Sequence, residues 1–172
     1  DPRSEDAVTR LMQSKRRASN HPTLILVPDL ASARDVVQGT SWRLTQRLAT
    51  QLWPGPLTLV LPPSDALPAK VRKILTRATG KIGVRVPNDP LSSVVMRSFG
   101  GPLLLSSANL EKKPGSNSAA AVRQRFANTV ALWVDAGDTI PEPSTIVEVT
   151  ETSWKIVREG AVSRARIEHA TS

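Results

Sequence analysis

The sequence predicts an α/β domain built on a twisted, mixed sheet. Two observations carry this. Short apolar runs of strand length, among them Thr23–Val27, Leu57–Leu61, Ile82–Val86 and Thr145–Val149, are bounded by prolines and polar residues. Between them lie longer segments whose apolar residues recur at helical spacing. With 172 residues, 40% of them hydrophobic, the chain can form one substantial core. It has no tyrosine and few other aromatics, so that core must be mostly Val, Leu, Ile and Ala.

The segments follow in order. Asp1–Arg17 opens with a helix: Ser4, Glu5 and Asp6 suit its N-terminal end, and Ala7, Val8, Leu11 and Met12 form its apolar stripe. Ser19–Pro22 is a turn and Thr23–Val27 a buried strand. A short helix is expected over Ser32–Val37, and Thr40 or Ser41 caps another that runs to about Leu52. Trp53-Pro54-Gly55-Pro56 breaks it before the strand Leu57–Leu61. Pro68–Leu75 is helical, Ile82–Val86 a strand, and Pro90 opens a helix through Phe99. Pro102–Ser106 is a strand, Ser107–Ser118 a polar loop, Ala119–Phe126 a helix and Ala131–Val134 a strand. Strands over Thr145–Val149 and Trp154–Val157 complete the pattern. The domain is assigned to residues 1–165, and 166–172 are read as a polar tail with room for a short helix.

Composition narrows the chemistry. With no cysteine, disulfides, thiolate nucleophiles and Cys-based zinc sites are excluded. His21 and His169 are far apart and form no HExxH pattern, so no resident metal is expected. Mg²⁺ carried by a nucleotide's phosphates needs at most one carboxylate from the protein. The formal net charge of +8 suits nucleotides, RNA or other polyanions, and equally suits plain solubility. No run approaches the ~18 apolar residues of a membrane span, and no signal peptide is visible. The sequence opens on Asp rather than Met, which leaves the true N-terminus open.

Four clusters have residue types suited to a site. Lys15-Arg16-Arg17, followed by Ser19-Asn20-His21-Pro22, offers cations at a strand entrance, for phosphates or carboxylates. The plain alternative is a set of helix C-terminal charges facing water, with His21 a turn residue. Trp53–Thr58 is a rigid turn, structural on its own terms and able to support a ligand wall. Ser106-Ser107-Ala108-Asn109 follows an apolar strand, where hydroxyls and an amide meet a ligand or cap a helix. Pro143-Ser144-Thr145 and Arg158-Glu159-Gly160 flank two neighbouring strands, and a hairpin would bring Arg158 to Ser144. Arg85, between Val84 and Val86, faces either a groove or solvent. Neither a Walker A loop nor GxGxxG is present. Ser106 and Ser107 have no evident His–acid partners for a serine hydrolase.

In this order the clusters resemble the YrdC-like family of threonylcarbamoyl-AMP synthases. The resemblance covers residues 1 to about 160 and is strongest in Trp53–Thr58, Ile82–Pro87 and Ser106–Asn109. It implies the family's twisted sheet, largely parallel and partly antiparallel, with helices around a concave positive cavity. It also implies formation of threonylcarbamoyl-AMP and pyrophosphate from ATP, L-threonine and bicarbonate, with Mg²⁺ held mainly by the nucleotide phosphates. A threonylcarbamoyl transferase would then modify adenosine 37 of tRNA. By correspondence, Lys15 and Arg17 are the catalytic basic pair, and Ser107 and Asn109 contact nucleotide. Ser144 binds substrate or phosphate, Arg158 meets phosphate or ribose, Arg85 lines the cavity, and His21 is counted with the nucleotide-binding residues.

Two departures stand out. The family usually carries an upstream strand and threonine-rich turn, of the type Tyr-Pro-Thr-Asp-Thr-x-Tyr-Gly, for which this sequence has no counterpart. The domain is therefore expected to be N-terminally incomplete. Ala18 also stands where the family usually has proline after the basic pair. Two other functions fit the same pattern. One is a YrdC-like protein that binds tRNA or double-stranded RNA, or the ribosome, without making an adenylate. The other is a carbamoyl-AMP-forming domain of the HypF type. A cytoplasmic location without membrane partners is expected in each case.

Overall fold

A computed structural model of the protein describes residues 1–14, 23–39, 42–77, 79–108, 118–135 and 142–172. The chain runs α1 (Glu5–Ser14), β1 (Leu24–Leu26), α2 (Leu30–Ala33), α3 (Trp42–Leu52), β2 (Leu57–Leu61), α4 (Ala69–Leu75) and β3 (Ile82–Arg85). It continues through α5 (Pro90–Phe99), β4 (Leu103–Leu105), α6 (Ala119–Phe126), β5 (Thr145–Val149), β6 (Trp154–Arg158) and α7 (Arg164–Thr171). The strands form one sheet in the order β4-β1-β3-β2-β5-β6. The pairs β1–β3 and β2–β5 are parallel, whereas β1–β4, β2–β3 and β5–β6 are antiparallel. The sheet is thus mixed as predicted, with less parallel pairing than the family resemblance implies.

Side-chain alternation divides the sheet into a packed face and an open one. Ile25, Leu57, Leu59, Leu61, Ile82, Val84, Val147 and Val149 join a single core with Val8 of α1, Leu48 and Leu52 of α3, Val71 and Leu75 of α4, and Ile167 of α7. The intervening residues Leu24, Thr58, Val60, Gly83 and Ile146 line a cavity instead. The core supplies most of the folding free energy, and the other face carries the cavity.

Several ends are fixed by local chemistry. Asp89 caps α5, its Oδ1 accepting from the Ser92 amide at 2.7 Å, and Pro90 supplies the first helical turn. Gly100 ends the same helix in the left-handed conformation, φ 75°. Asp29 caps α2 through the Ser32 amide, so this helix starts and stops earlier than the expected Ser32–Val37.

Two further expectations are corrected. Ala131–Val134 forms no strand; Leu132 is 77% exposed there. Four residues with no described partner strand to accept their ladder hydrogen bonds cannot be held by β-propensity alone. The end of the chain, read as a polar tail, continues the domain. Ile167 and Ala170 of α7 are buried, too short a stripe to stand out in sequence. Among the described residues, no helix is long and apolar enough to cross a membrane.

Candidate functional site

A cavity of about 600 Å³ lies on the open face of the sheet. Leu24, Val60, Gly83, Leu105, Ile146 and Val157 make its apolar surface, and Thr58, Ser106, Ser107, Ser144 and Arg158 supply its polar groups. The floor follows from register. Leu24 pairs with Gly83, which pairs with Val60, while Thr58 pairs with Ile146, which pairs with Arg158. Gly83 hollows the middle of this floor. A Cβ there would meet the Thr58 methyl at 3.0 Å and Leu24 Cδ1 at 3.7 Å.

The polar wall is built from the β5–β6 hairpin. The ladder slips by one residue between Ile146 and Val147: Ile146 pairs with Arg158, but Val147 pairs with Ile156. The extra residue is Val157. This bulge allows the consecutive residues Val157 and Arg158 both to reach the cavity, which a regular strand forbids. Arg158 donates from Nη2 and Nε to the Ser144 carbonyl at 2.7 and 3.3 Å, with Nη2 also 3.4 Å from Ser144 Oγ. Ser144 Oγ lies 3.1 Å from Thr58 Oγ1 on the neighbouring strand.

Behind this wall, Thr145 is fully buried and turns its hydroxyl away from the cavity. Its Oγ1 donates to the Val162 carbonyl at 2.6 Å and accepts from the Gly160 and Val162 amides at 2.9 and 3.0 Å. Gly160 is required by close approach, because a Cβ there would fall 2.0 Å from the Pro143 carbonyl oxygen. The Arg158-Glu159-Gly160 sequence therefore folds down over Pro143, with the Ala161 amide bonded to the Pro143 carbonyl at 3.0 Å.

The geometry brings Ser107, Ser144 and Arg158 to one cavity, and the expected hairpin approach of Arg158 to Ser144 is present. Arg85 lies two residues along β3 from Gly83, on the same side of the strand, but is not among the lining residues. Its Nε donates to the Gly55 carbonyl at 2.8 Å, so the arginine ties β3 to the Pro54-Gly55-Pro56 turn. Burial pushes its guanidinium down from the ordinary value, and Asp89 opposes that shift. Lys15, Arg17, His21 and Asn109 lie outside the described residues. Among the residues described, Arg158 is the one charged group lining the cavity.

Thr58, Gly83 and Val157 also line the cavity, and the sequence marks none of them individually as a site residue. Thr58 does stand in the Trp53–Thr58 turn motif, which hinted at a ligand wall. The glycine was legible only as an interruption of an apolar run. The bulge at Val157 has no sequence signal.

Among the described residues, no group of three or more His, Asp or Glu is placed to hold a metal ion. Hydroxyls and a guanidinium instead suit the oxyanions of phosphate or carboxylate. The cavity's size is that of a small-molecule or nucleotide site.

Comparison with known proteins gives a consistent set of relatives. The Sua5/yciO/yrdC family model, described as "Telomere recombination", matches residues 1–160. The chain is 30% identical over 168 residues to a threonylcarbamoyl-AMP synthase of Bacillus subtilis, covering 96% of this chain and 47% of that protein. It is 32% identical over 151 residues to the Serratia proteamaculans protein of the same name, covering 87% of this chain and 77% of that one. The structure of P. abyssi Sua5 complexed with L-threonine superposes with a TM-score of 0.86 at 28% identity, over 99% of this chain and 49% of that one. The chain thus spans about half the length of some curated relatives it matches.

Proposed function

We propose, from the premise that this chain belongs to the Sua5/yciO/yrdC family, that it forms threonylcarbamoyl-AMP and pyrophosphate from ATP, L-threonine and bicarbonate. The observation that carries this reading is the convergence of Ser107, Ser144 and Arg158 on one cavity whose remaining surface is largely apolar. Hydroxyl and guanidinium donors offer the contacts that phosphate and carboxylate oxygens need.

The reaction demands little covalent chemistry of the protein. The threonine amine combines with bicarbonate, water is lost, and a carbamate forms. A carbamate oxygen then attacks the α-phosphorus of ATP, and pyrophosphate leaves. The carbamate, the threonine carboxylate and the ATP phosphates bring negative charge to close quarters, so the residues act by positioning and by neutralising charge. In this reading Arg158 and Ser144 hold an oxyanion of the substrates, and Ser107 and Asn109 approach the nucleotide. Lys15 and Arg17 supply the further cations, Arg85 supports the turn beside the site, and His21 is assigned to nucleotide binding. Mg²⁺, where it accompanies ATP, would be held mainly by the nucleotide phosphates and would supply charge shielding there. The product is a mixed anhydride, which a transferase acting on tRNA would consume.

The test is pyrophosphate release from ATP with Mg²⁺, measured with threonine and bicarbonate together and with each omitted. Release that needs both establishes the reading for this chain. Release independent of threonine, or none at all from chain that binds ATP, overturns it.

A further inference from the structure

We propose that Thr58 is a positioning residue that acts through Ser144. The inference deepens the functional reading above and rests on it. Thr58 is 5% exposed, yet its hydroxyl sits on the cavity side of β2. Its one described hydrogen-bond partner is Ser144 Oγ at 3.1 Å. Ser144 Oγ also lies 3.4 Å from Arg158 Nη2, which donates to it.

Counting hydrogens shows what this arrangement offers. Two hydroxyls carry two hydrogens and four lone pairs. The bond between them uses one hydrogen and one lone pair, and Arg158 occupies a lone pair of Ser144. One O–H is left, together with two lone pairs. Whichever hydroxyl donates within the pair, the remaining O–H belongs to a residue lining the cavity. The pair therefore presents one fixed donor next to a guanidinium, a combination suited to a carboxylate, carbamate or phosphate oxygen.

Thr58 fixes that donor more firmly than a lone serine could. Threonine is stiff at χ1 because two heavy atoms branch from Cβ. Its methyl lies over Gly83, where a Cβ would approach it to 3.0 Å. Ser144, by contrast, immediately precedes β5, and its unbranched side chain has three staggered χ1 wells open to it. The sheet-borne hydroxyl thus holds the loop-borne one, and Arg158 holds the same residue through its carbonyl at 2.7 Å.

The experiment compares wild type, Thr58→Val, Thr58→Ser, Ser144→Ala and the Thr58→Val/Ser144→Ala double variant. Pyrophosphate release is followed as kcat and KM for threonine and ATP, and affinities for both are measured by calorimetry independently of turnover. Melting midpoints verify folding. Thr58→Val is expected to lower kcat/KM by about tenfold. Thr58→Ser should restore most of that loss. The double variant should be no worse than Ser144→Ala alone, since residues acting through one another do not add. An unaltered Thr58→Val, or losses that multiply in the double variant, overturns the inference while the functional reading stands. If the wild type binds substrates without turnover, the reading falls, and the same comparison on affinities still decides the role of Thr58.

Discussion

Arg158 and Ser144 are joined twice over: the guanidinium donates to the serine carbonyl at 2.7 Å from Nη2 and at 3.3 Å from Nε. The contact is made across a bulged hairpin, and the arginine is exposed while the serine is half-buried. The relation fixes a backbone, since it is the carbonyl and not the side chain that receives the shorter bonds. Two donors of one planar group on one oxygen restrain the loop before β5 in a way that a flexible ammonium cannot.

Replacing Arg158 by Lys should therefore cost function rather than fold. A lost charge-assisted bond corresponds to about 1.5–3 kcal/mol where it bears on substrate, or roughly ten- to a hundredfold in kcat/KM. Unfolding free energy should stay within about 1 kcal/mol of wild type, because the side chain is exposed. Steady-state kinetics beside urea unfolding separate the two. Full activity in Arg158→Lys would show that a positive charge suffices there.

Gly83 permits a prediction whose sign opposes the usual rule. Glycine to alanine in a strand normally stabilises by removing unfolded-chain entropy. Here the added methyl meets the Thr58 methyl at 3.0 Å, and Thr58 cannot swing without leaving Ser144. Gly83→Ala should lose about 1 kcal/mol of stability or gain nothing, and ligand affinity should fall about tenfold. A more stable variant with unchanged affinity would mean that the floor yields freely.

What was legible in the sequence follows the strength of local signals. Leu57–Leu61, Ala119–Phe126 and Pro90–Phe99 form elements with the expected bounds. In each, periodicity and boundary residues agree: prolines flank the strand, Ser118 caps α6, and Asp89 with Pro90 opens α5. Ala131–Val134 has a strand's composition but forms no strand, because four apolar residues carry no information about whether a neighbouring strand is available. At the site, Ser144 and Arg158 could be paired in advance because a two-strand hairpin follows from sequence spacing. Thr58 could not be joined to Ser144, because the two lie 86 residues apart and the parallel β2–β5 pairing that brings them together leaves no local trace.

Thr145 is the buried tie between β5 and the loop before α7, and its replacement by Val should be felt in stability. Valine keeps the shape but leaves the Gly160 and Val162 amides without their shared acceptor. Each unsatisfied buried group costs about 1–3 kcal/mol, so a loss of roughly 3 kcal/mol is expected from chemical denaturation. Thr145→Ser keeps the hydroxyl and should lose only about 1 kcal/mol. Equal losses in the two variants would place the effect in packing and not in the hydrogen bonds.

Asp89 makes stability depend on acid in a calculable direction. Burial raises its carboxyl, but the Ser92 amide and hydroxyl, its own amide and the charge of Arg85 outweigh burial and hold it below the ordinary carboxylate value. A group depressed in the folded state stabilises fully above its unfolded value and loses that contribution as pH falls through its folded value. At about pH 7, Asp89→Ala should cost about 1 kcal/mol as a lost helix cap. Asp89→Asn keeps an acceptor for the Ser92 amide but no charge, so it should lose less and show a flatter acid slope. Urea unfolding followed from about pH 7 to about pH 2 should show the gap between wild type and Asp89→Ala narrowing toward acid. A gap that stays constant would mean that the carboxylate's charge contributes nothing, and that the cap works through geometry alone.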